Sequence, residues 1–540
     1  MTHSEHSTSV VLDTLVDDTY QQVLSLGAEL LDPTSPHDLD SLDAVMRELS
    51  AQKEVVVDSL HTEYAESTLT LLNRLLRLGW SEITDVPARH IEEVQNRAAS
   101  MVFFYFSPHL MSAAEQRPDF PFTPHVASLL FAALARQPHL ANDRLTRFVS
   151  ANISEALDYA SQLAASRHTA LRDRASKLTY DEQTEAKHVA TGLRYLLHVS
   201  QDESAKHVMA GIRSLAHTAE VNPLVDDWLQ PLLQDREFTA KVCELLGIPH
   251  HPMEYAWAIG YGPKAPNYDF RKVYRRQCVR RMLSLEHERP GIVRTLYREF
   301  GIRNFARYSE QLLLDIYDER NKEAADKLLA ATTGHTQPAK KERRAYLLAA
   351  VADCDGSATR NSMPKLEELY WNLRTQGIKV SVIEYGTGRE LGVRARQAER
   401  LGFEPALLVA SDSHALGNEL TAGSESLLTQ DVIDWLGILA AKATRPDATI
   451  FLNACSLGRD DDGFAATLHQ VSERTVLASS GCSFLGDIRA TINQKGTASV
   501  TVNLCPSSKV DTDGPPPLRR FESAGERCQL FTVNDLRAAA

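Results

Sequence analysis

Between residues 345 and 480 five short apolar runs alternate with stretches of helical period: 346–352 (YLLAAVA), 378–385 (IKVSVIEY), 405–410 (PALLVA), 449–453 (TIFLN) and 475–479 (TVLAS). Each run is apolar almost throughout, the mark of a strand buried on both faces rather than on one. The segments between them, 364–374, 389–401, 430–443 and 463–472, carry the spacing of amphipathic helices. Strands of this kind joined by helices imply a largely parallel sheet with helices on both faces, an α/β domain. Ligand chemistry in such a sheet collects at the carboxyl ends of the strands.

Before this region the pattern is helical. From about residue 10 to 330 apolar residues recur at helical spacing, most densely in 68–80 (TLTLLNRLLRLGW) and 190–199 (ATGLRYLLHV). Proline and glycine interrupt it at Asp32-Pro33, 118–124, Asn222-Pro223 and 249–266. The expected organisation is an all-helical region over 1–330 with a break near 220–265, a small, polar and basic linker over 331–344, an α/β domain over 345–508, and a tail over 509–540. The linker ends in KKERR, where an exposed chain would be open to proteolysis.

A chain of 540 residues with a net charge of −13 lacks the basic surface that a phosphate backbone demands, so no nucleic-acid partner is expected. The one strongly basic run, 271–281 (RKVYRRQCVRR), reads as a solvated helix face. The seven cysteines fall at irregular spacings without a CxxC pair, as thiols of a reducing compartment do. The N-terminal residues lack a basic start followed by an apolar stretch, and no apolar run reaches the length of a membrane span. A cytoplasmic protein without a membrane span is expected.

Two of the strands deliver reactive side chains. The run 405–410 is followed by Ser411-Asp412-Ser413-His414, and 449–453 leads through Ala454 into Cys455. A thiol is a nucleophile only as thiolate, so an imidazole beside it is the chemistry that activates it. Free N–H groups at a strand end passing into a loop suit an oxyanion.

The pair of segments PALLVASDSHALG and TIFLNACSLG resembles the caspase-like cysteine peptidases, whose shared pattern is an apolar strand ending near His-Gly and, one helix later, an apolar strand ending in Ala-Cys or Gly-Cys. The resemblance spans about residues 345–505. It implies a caspase-like α/β fold and an intracellular endopeptidase that needs no cofactor. Its catalytic dyad would be Cys455 as nucleophile and His414 as general base, with the amides of Cys455 and Ala415 as oxyanion donors. Ala415 stands where the family usually has glycine. Residues after the first strand and near the cysteine would line the specificity pocket: Asp353, Asp355, Asp460 and Ser479. Carboxylates there favour a basic residue before the cut, which makes KKERR a candidate for self-processing; Arg360 in the first loop would instead select aspartate.

Other readings share the sequence. The helical region can recognise a protein partner or regulate the peptidase; alternatively the chain is a non-catalytic helical scaffold carrying an inactive caspase-like domain. Asp353 and Asp355 in AAVADCDGSAT also imitate the first motif of haloacid-dehalogenase-like phosphatases, but Ser479, Asp487 and Lys495 do not follow that family's order. GTGRELG (386–392) looks like a phosphate-cradling turn with its third glycine one residue late. His250 and His251 have no cysteine at metal-ligand spacing, and no metal site is expected.

Overall fold

The computed structural model describes residues 39–51, 54, 57, 65–77, 88–116, 120–172, 182–220, 222–249, 268–333, 343–350, 363–385, 393, 405–411, 415–416, 419–422, 425–427, 441, 444–454, 457–481, 483–495, 497–506, 518–522 and 530–531. They divide into two compact units. The first comprises residues 1–247 and 286–289, the second 248–285 and 290–540.

The first unit is helical: α1 (Leu39–Ala51), α2 (Ala65–Arg77), α3 (Ala88–Met101), α4 (Ser107–Gln116), α5 (Thr123–Arg136), α6 (Asp143–Ala151), α7 (Ile153–Arg172), α8 (Glu182–Val199), α9 (Asp202–Thr218), α10 (Pro223–Gln234) and α11 (Arg236–Leu245). Helix α5 lies at its centre, against α2, α3, α7 and α8. Its ten consecutive residues Val126 to Ala135 are all buried, as a helix apolar on every side requires. Pro124 in its first turn removes an amide that would have no partner there, so the proline cluster at 118–124 starts this helix. The leucine-rich segment of α2 buries Leu69, Leu72 and Leu76. Gly192 in α8 allows close approach to α5, for a Cβ there would lie 2.8 Å from the Phe131 ring.

The second unit holds α12 (Tyr268–Glu288, less its last turn), α13 (Ile292–Arg298), α14 (Glu310–Thr333) and an α/β sheet. The sheet elements in chain order are β1 (Arg344–Ala350), α15 (Met363–Thr375), β2 (Lys379–Tyr385), β3 (Leu407–Ser411), β7 (Thr449–Asn453), α16 (Phe464–Ser472), β8 (Thr475–Ser479), β11 (Leu518–Phe521) and β12 (Leu530–Phe531). Between β3 and β7 come β4 (Ala415–Leu416), β5 (Glu419–Ala422) and β6 (Glu425–Leu427), a small antiparallel sheet of their own. After β8, β9 (Ser483–Ile492) and β10 (Ala498–Pro506) pair as an antiparallel hairpin.

The main sheet runs β12-β11-β8-β7-β3-β1-β2. β2, β1, β3, β7 and β8 are parallel, and β11 is antiparallel to β8. The strand order reverses direction about β1: the chain steps one way to β2 and the other way to β3, β7 and β8. Right-handed crossovers therefore put α15, between β1 and β2, and α16, between β7 and β8, on opposite faces. One face carries Tyr346, Leu348, Leu408, Ile450, Leu452, Val476 and Phe521, packed against Phe464, Ala465 and Leu468 of α16. The other presents Leu347, Val382, Leu407, Val409, Phe451 and Leu477, equally buried. The α/β class and the largely parallel sheet are as the apolar runs implied. The helical segments expected at 389–401 and 430–443 lie outside the described residues apart from Val393 and Ala441, both helical.

The chain passes from the first unit to the second at 247/248, inside the break expected near 220–265. Helices α13 and α14 belong to the unit of the sheet rather than to a helical region ending at 330. Helix α14 presents three acids to α15 and to the amino end of the sheet: Asp315 takes the Tyr370 hydroxyl and Arg374 Nε (3.1 Å), Glu319 takes Arg374 Nη2 (2.8 Å), and Glu323 pairs with Arg344 and lies 3.5 Å from Lys379 Nζ. The expected linker is shorter as well, since α14 runs to Thr333 and β1 opens at Arg344. The expected tail contributes two strands, β11 and β12, to the main sheet.

Arg344 is buried, and its Nη1 also donates to Ser381 Oγ at 2.6 Å. Burial alone raises the Glu323 carboxyl, but Arg344 and Lys379 outweigh it and hold Glu323 below its ordinary value of 4.5. A carboxylate held down in the fold stabilises it above that value and loses the contribution as the pH falls. The unfolding midpoint of the α/β unit is therefore expected to drop below about pH 4.5, and Glu323→Gln to flatten that part of the profile. Arg344→Ala, which leaves Glu323 only the longer contact to Lys379, should cost about 3 kcal/mol at neutral pH, measured by chemical denaturation. A variant as stable as the parent would mean that the pair does not anchor α14.

Candidate functional site

The carboxyl ends of β1, β3, β7 and β8 form one edge of the sheet. In the parallel register Ser411 of β3 stands opposite Asn453 of β7, so the two strands stop level with one another. His414 follows three residues after the first end and Cys455 two residues after the second. Both lie outside the described residues, as do Asp353 and Asp355 in the segment that follows β1.

The chain on either side of Cys455 is anchored. Ala454 packs on the core cluster of the α16 face, and Leu457 is buried within it. The Leu457 carbonyl accepts from Ala465 N in the first turn of α16 at 3.3 Å. Gly458 N donates to the Ser479 carbonyl at 2.8 Å, docking the loop on the end of β8. This approach is possible only for glycine, because a Cβ on Gly458 would lie 2.8 Å from the Ala478 carbonyl oxygen, a backbone atom that cannot swing aside. Gly463 N then closes a turn onto the Asp460 carbonyl at 3.2 Å and α16 begins.

Arg519 of β11 holds the same loop from the other side. Its Nη1 donates to the carbonyls of Gly458 (3.0 Å) and Arg459 (2.8 Å), and its Nη2 pairs with the Asp461 carboxylate. The guanidinium also lies 5.1 Å from the centre of the Phe521 ring. From Leu457 onward the loop is irregular in path but fixed by these hydrogen bonds and by the burial of Leu457.

Three of the expected site residues fall among these elements. Ser479 ends β8 at this edge, buried, with its hydroxyl donating to the Gly481 carbonyl (2.9 Å) and its own carbonyl taken by Gly458. Asp460 sits in the turn with its side chain exposed. Ala415 opens β4 and pairs with Leu420. Among the described residues other than glycine, only Glu473 takes a positive φ, so the alanine at 415 does not occupy a conformation that would demand glycine. Gly458 and Arg519 were not singled out from the sequence. A Gly three residues after the cysteine carried a weak turn signal; Arg519 carried none, since its partners are about 60 residues away in the chain.

Searches against protein-family models, curated proteins and solved structures return no match to this chain.

The glycine supplies a direct test of the loop. Gly458→Ala should push the loop off β8, destabilise the unit by about 1–3 kcal/mol and slow alkylation of Cys455 relative to the other thiols. Mass-spectrometric labelling of each cysteine reads both variants, and equal labelling of Cys455 would show that the docking does not govern it.

Proposed function

We propose that the α/β unit is a cysteine endopeptidase of the caspase-like kind, acting on protein substrates through Cys455 and His414. The observation that carries this reading is the level register of β3 and β7, whose adjacent ends lead within three residues to the histidine and within two to the cysteine. In the reaction His414 takes the Cys455 proton, and the thiolate attacks the scissile carbonyl. Amides of Cys455 and Ala415 bind the oxyanion, and His414 returns the proton to the leaving amine. Water then attacks the thioester, releases the acid and restores the thiol. No cofactor is called for by these steps.

Asp353, Asp355 and Asp460 are the carboxylates that would select a basic residue before the cut; Asp461, paired with Arg519, and Ser479, engaged by Gly458 and Gly481, are less available for it. Self-processing within KKERR is restricted by the fold. Arg344 is buried at the start of β1 and Arg343 donates to the Gln494 carbonyl at 2.9 Å, so a cut at either would require β1 to leave the sheet. Any self-cleavage is assigned to residues before Arg343.

The helical unit is read as a regulatory or partner-recognising part. A single π-helical turn, Val102–Phe106, joins α3 to α4 and leaves Phe104 66 % and Tyr105 45 % exposed, apolar area of the kind that partners cover. Among the described residues no helix is long and apolar enough to cross a membrane. Cys243 and Cys278 are buried and form no disulfide, and burial pushes Cys278 up to about 12, which leaves it inert as a nucleophile.

Wild-type protein, Cys455→Ala and His414→Ala are to be assayed on fluorogenic peptides ending in Arg, Lys, Asp, Asn or Leu. Turnover after Arg or Lys is expected, absent in Cys455→Ala and reduced about 10²–10⁴-fold in kcat in His414→Ala. Absence of turnover together with a Cys455 no more reactive than Cys243 would leave the scaffold reading in its place.

A further inference from the structure

We infer that Arg519 is a positioning residue for the nucleophile: the guanidinium of the strand β11 orients the peptide groups that follow Cys455 and so sets where the thiol stands. The role presupposes Cys455 as the nucleophile proposed above, but its structural basis is independent of that.

Strand β11 is antiparallel to β8 with Arg519 opposite Ala478, on the face that also carries Leu452, Val476 and Phe521. The Arg519 side chain keeps only 12 % of its surface exposed, while its partner Asp461 keeps 90 %. A surface ion pair does not account for burying a guanidinium to that degree. The two backbone carbonyls do, because Gly458 O and Arg459 O both point at Nη1. Two successive peptide planes are thereby fixed, since each carbonyl is rigid with the N–H of the next residue. Gly458 N is tied to Ser479 O on the opposite side. Ala454 packs against the core cluster and Leu457 is buried within it, so the chain is anchored both before and after Cys455.

Nη1 holds both carbonyls with N–H groups fixed in the guanidinium plane, whereas a lysine ammonium ends nearer the backbone and carries freely rotating donors, so it cannot be set on the same two carbonyls in the same place. The exposed arm to Asp461 is the dispensable one, as solvated pairs contribute little. Catalytic geometry, in contrast, is sensitive to shifts of about 1 Å, which cost on the order of 10² in rate. The predicted order of effects is therefore Arg519→Ala and Arg519→Lys both severe and Asp461→Asn mild.

The experiment takes the full-length protein in these three variants and reads two quantities. Hydrogen exchange of the peptide covering 456–463 reports the loop, and alkylation of Cys455 with peptide turnover reports the nucleophile. Arg519→Ala and Arg519→Lys should speed exchange at Gly458 and its neighbours while leaving β1 and β3 amides as in the parent. They should also slow Cys455 alkylation and kcat by about 10²-fold with little change in KM. Asp461→Asn should change kcat less than about fivefold. Guanidinium ion at non-denaturing concentration should restore part of the Arg519→Ala rate and none of the Arg519→Lys rate, because only the alanine leaves a gap to fill. Arg519→Lys keeps the aliphatic stem over Phe521 and the charge, so it remains informative if the alanine variant does not fold. Unchanged loop exchange in Arg519→Lys would overturn the clamp. Faster exchange with unchanged Cys455 reactivity would overturn its effect on the nucleophile. If the parent neither turns over peptide nor alkylates selectively at Cys455, the peptidase reading fails and the nucleophile role falls with it, while the exchange data still decide whether Arg519 holds the loop.

Discussion

Burial of the parallel strands on both faces is the constraint from which the rest of the α/β unit follows. A strand with apolar neighbours above and below has no place for a reactive polar group along its length, because an unpaired polar group there costs several kcal/mol. Polar residues are therefore displaced to the strand ends or fully satisfied where they stand. Asn453 and Ser479 are at ends; Ser381 takes a hydrogen bond from Arg344. The edge where β3 and β7 stop level is the consequence, and it is where the site is sought.

Glu384 is the exception that ties the preceding helices to the sheet. It is a buried carboxylate on β2, and its Oε2 accepts the amides of Arg303 (2.6 Å) and Asn304 (3.2 Å) in the connection between α13 and α14. Burial drives its pKa up, partly offset by the Arg307 guanidinium and the Arg303 amide. A carboxyl raised in this way is a cost to folding at neutral pH rather than a gain, since stability is lost as the pH rises above the ordinary carboxylate range. Its retention is consistent with a role in setting which segment lies against β2, as buried ionic groups do in other systems. Glu319 and Glu323 of α14 are held at the other end of β1 and β2, partly buried and matched by the cations Arg374, Lys379 and Arg344.

This junction accounts for α13 and α14 falling in the unit of the sheet. Helical character is a local property, and α14 is helical although its apolar face is weaker than those of the first unit's helices. What assigns them to the sheet is a set of acids on α14 whose partners lie some 20 to 60 residues downstream, and in the sequence those acids look like an ordinary solvated face. The small sheet β4 to β6 and the hairpin β9 to β10 escaped for a related reason. Their strands are short or half-exposed, and only the alternation of Ala498, Val500 and Val502 with polar residues marked one of them. Among the site residues, Ser479 and Asp460 lie at the carboxyl edge of the sheet, and the hydrogen-bond partners of Ser479 were not legible in the sequence.

The sequence by itself determined the α/β class, the places of β1, β2, β3, β7 and β8 to within about two residues, the helices α15 and α16, and the exit of His414 and Cys455 from two strand ends. Each of these depends on the spacing of apolar residues within a few turns of chain, and that spacing is printed in the sequence. Only the tertiary structure decided which strands are neighbours, that β3 and β7 stop level, that the tail adds β11 to the sheet, and that Gly458 and Arg519 hold the loop after the cysteine. Those contacts join segments separated by tens of residues. Neither a strand order, nor the close approach of Gly458 to the Ala478 carbonyl, nor one arginine nitrogen on two carbonyls leaves a periodic trace along the chain.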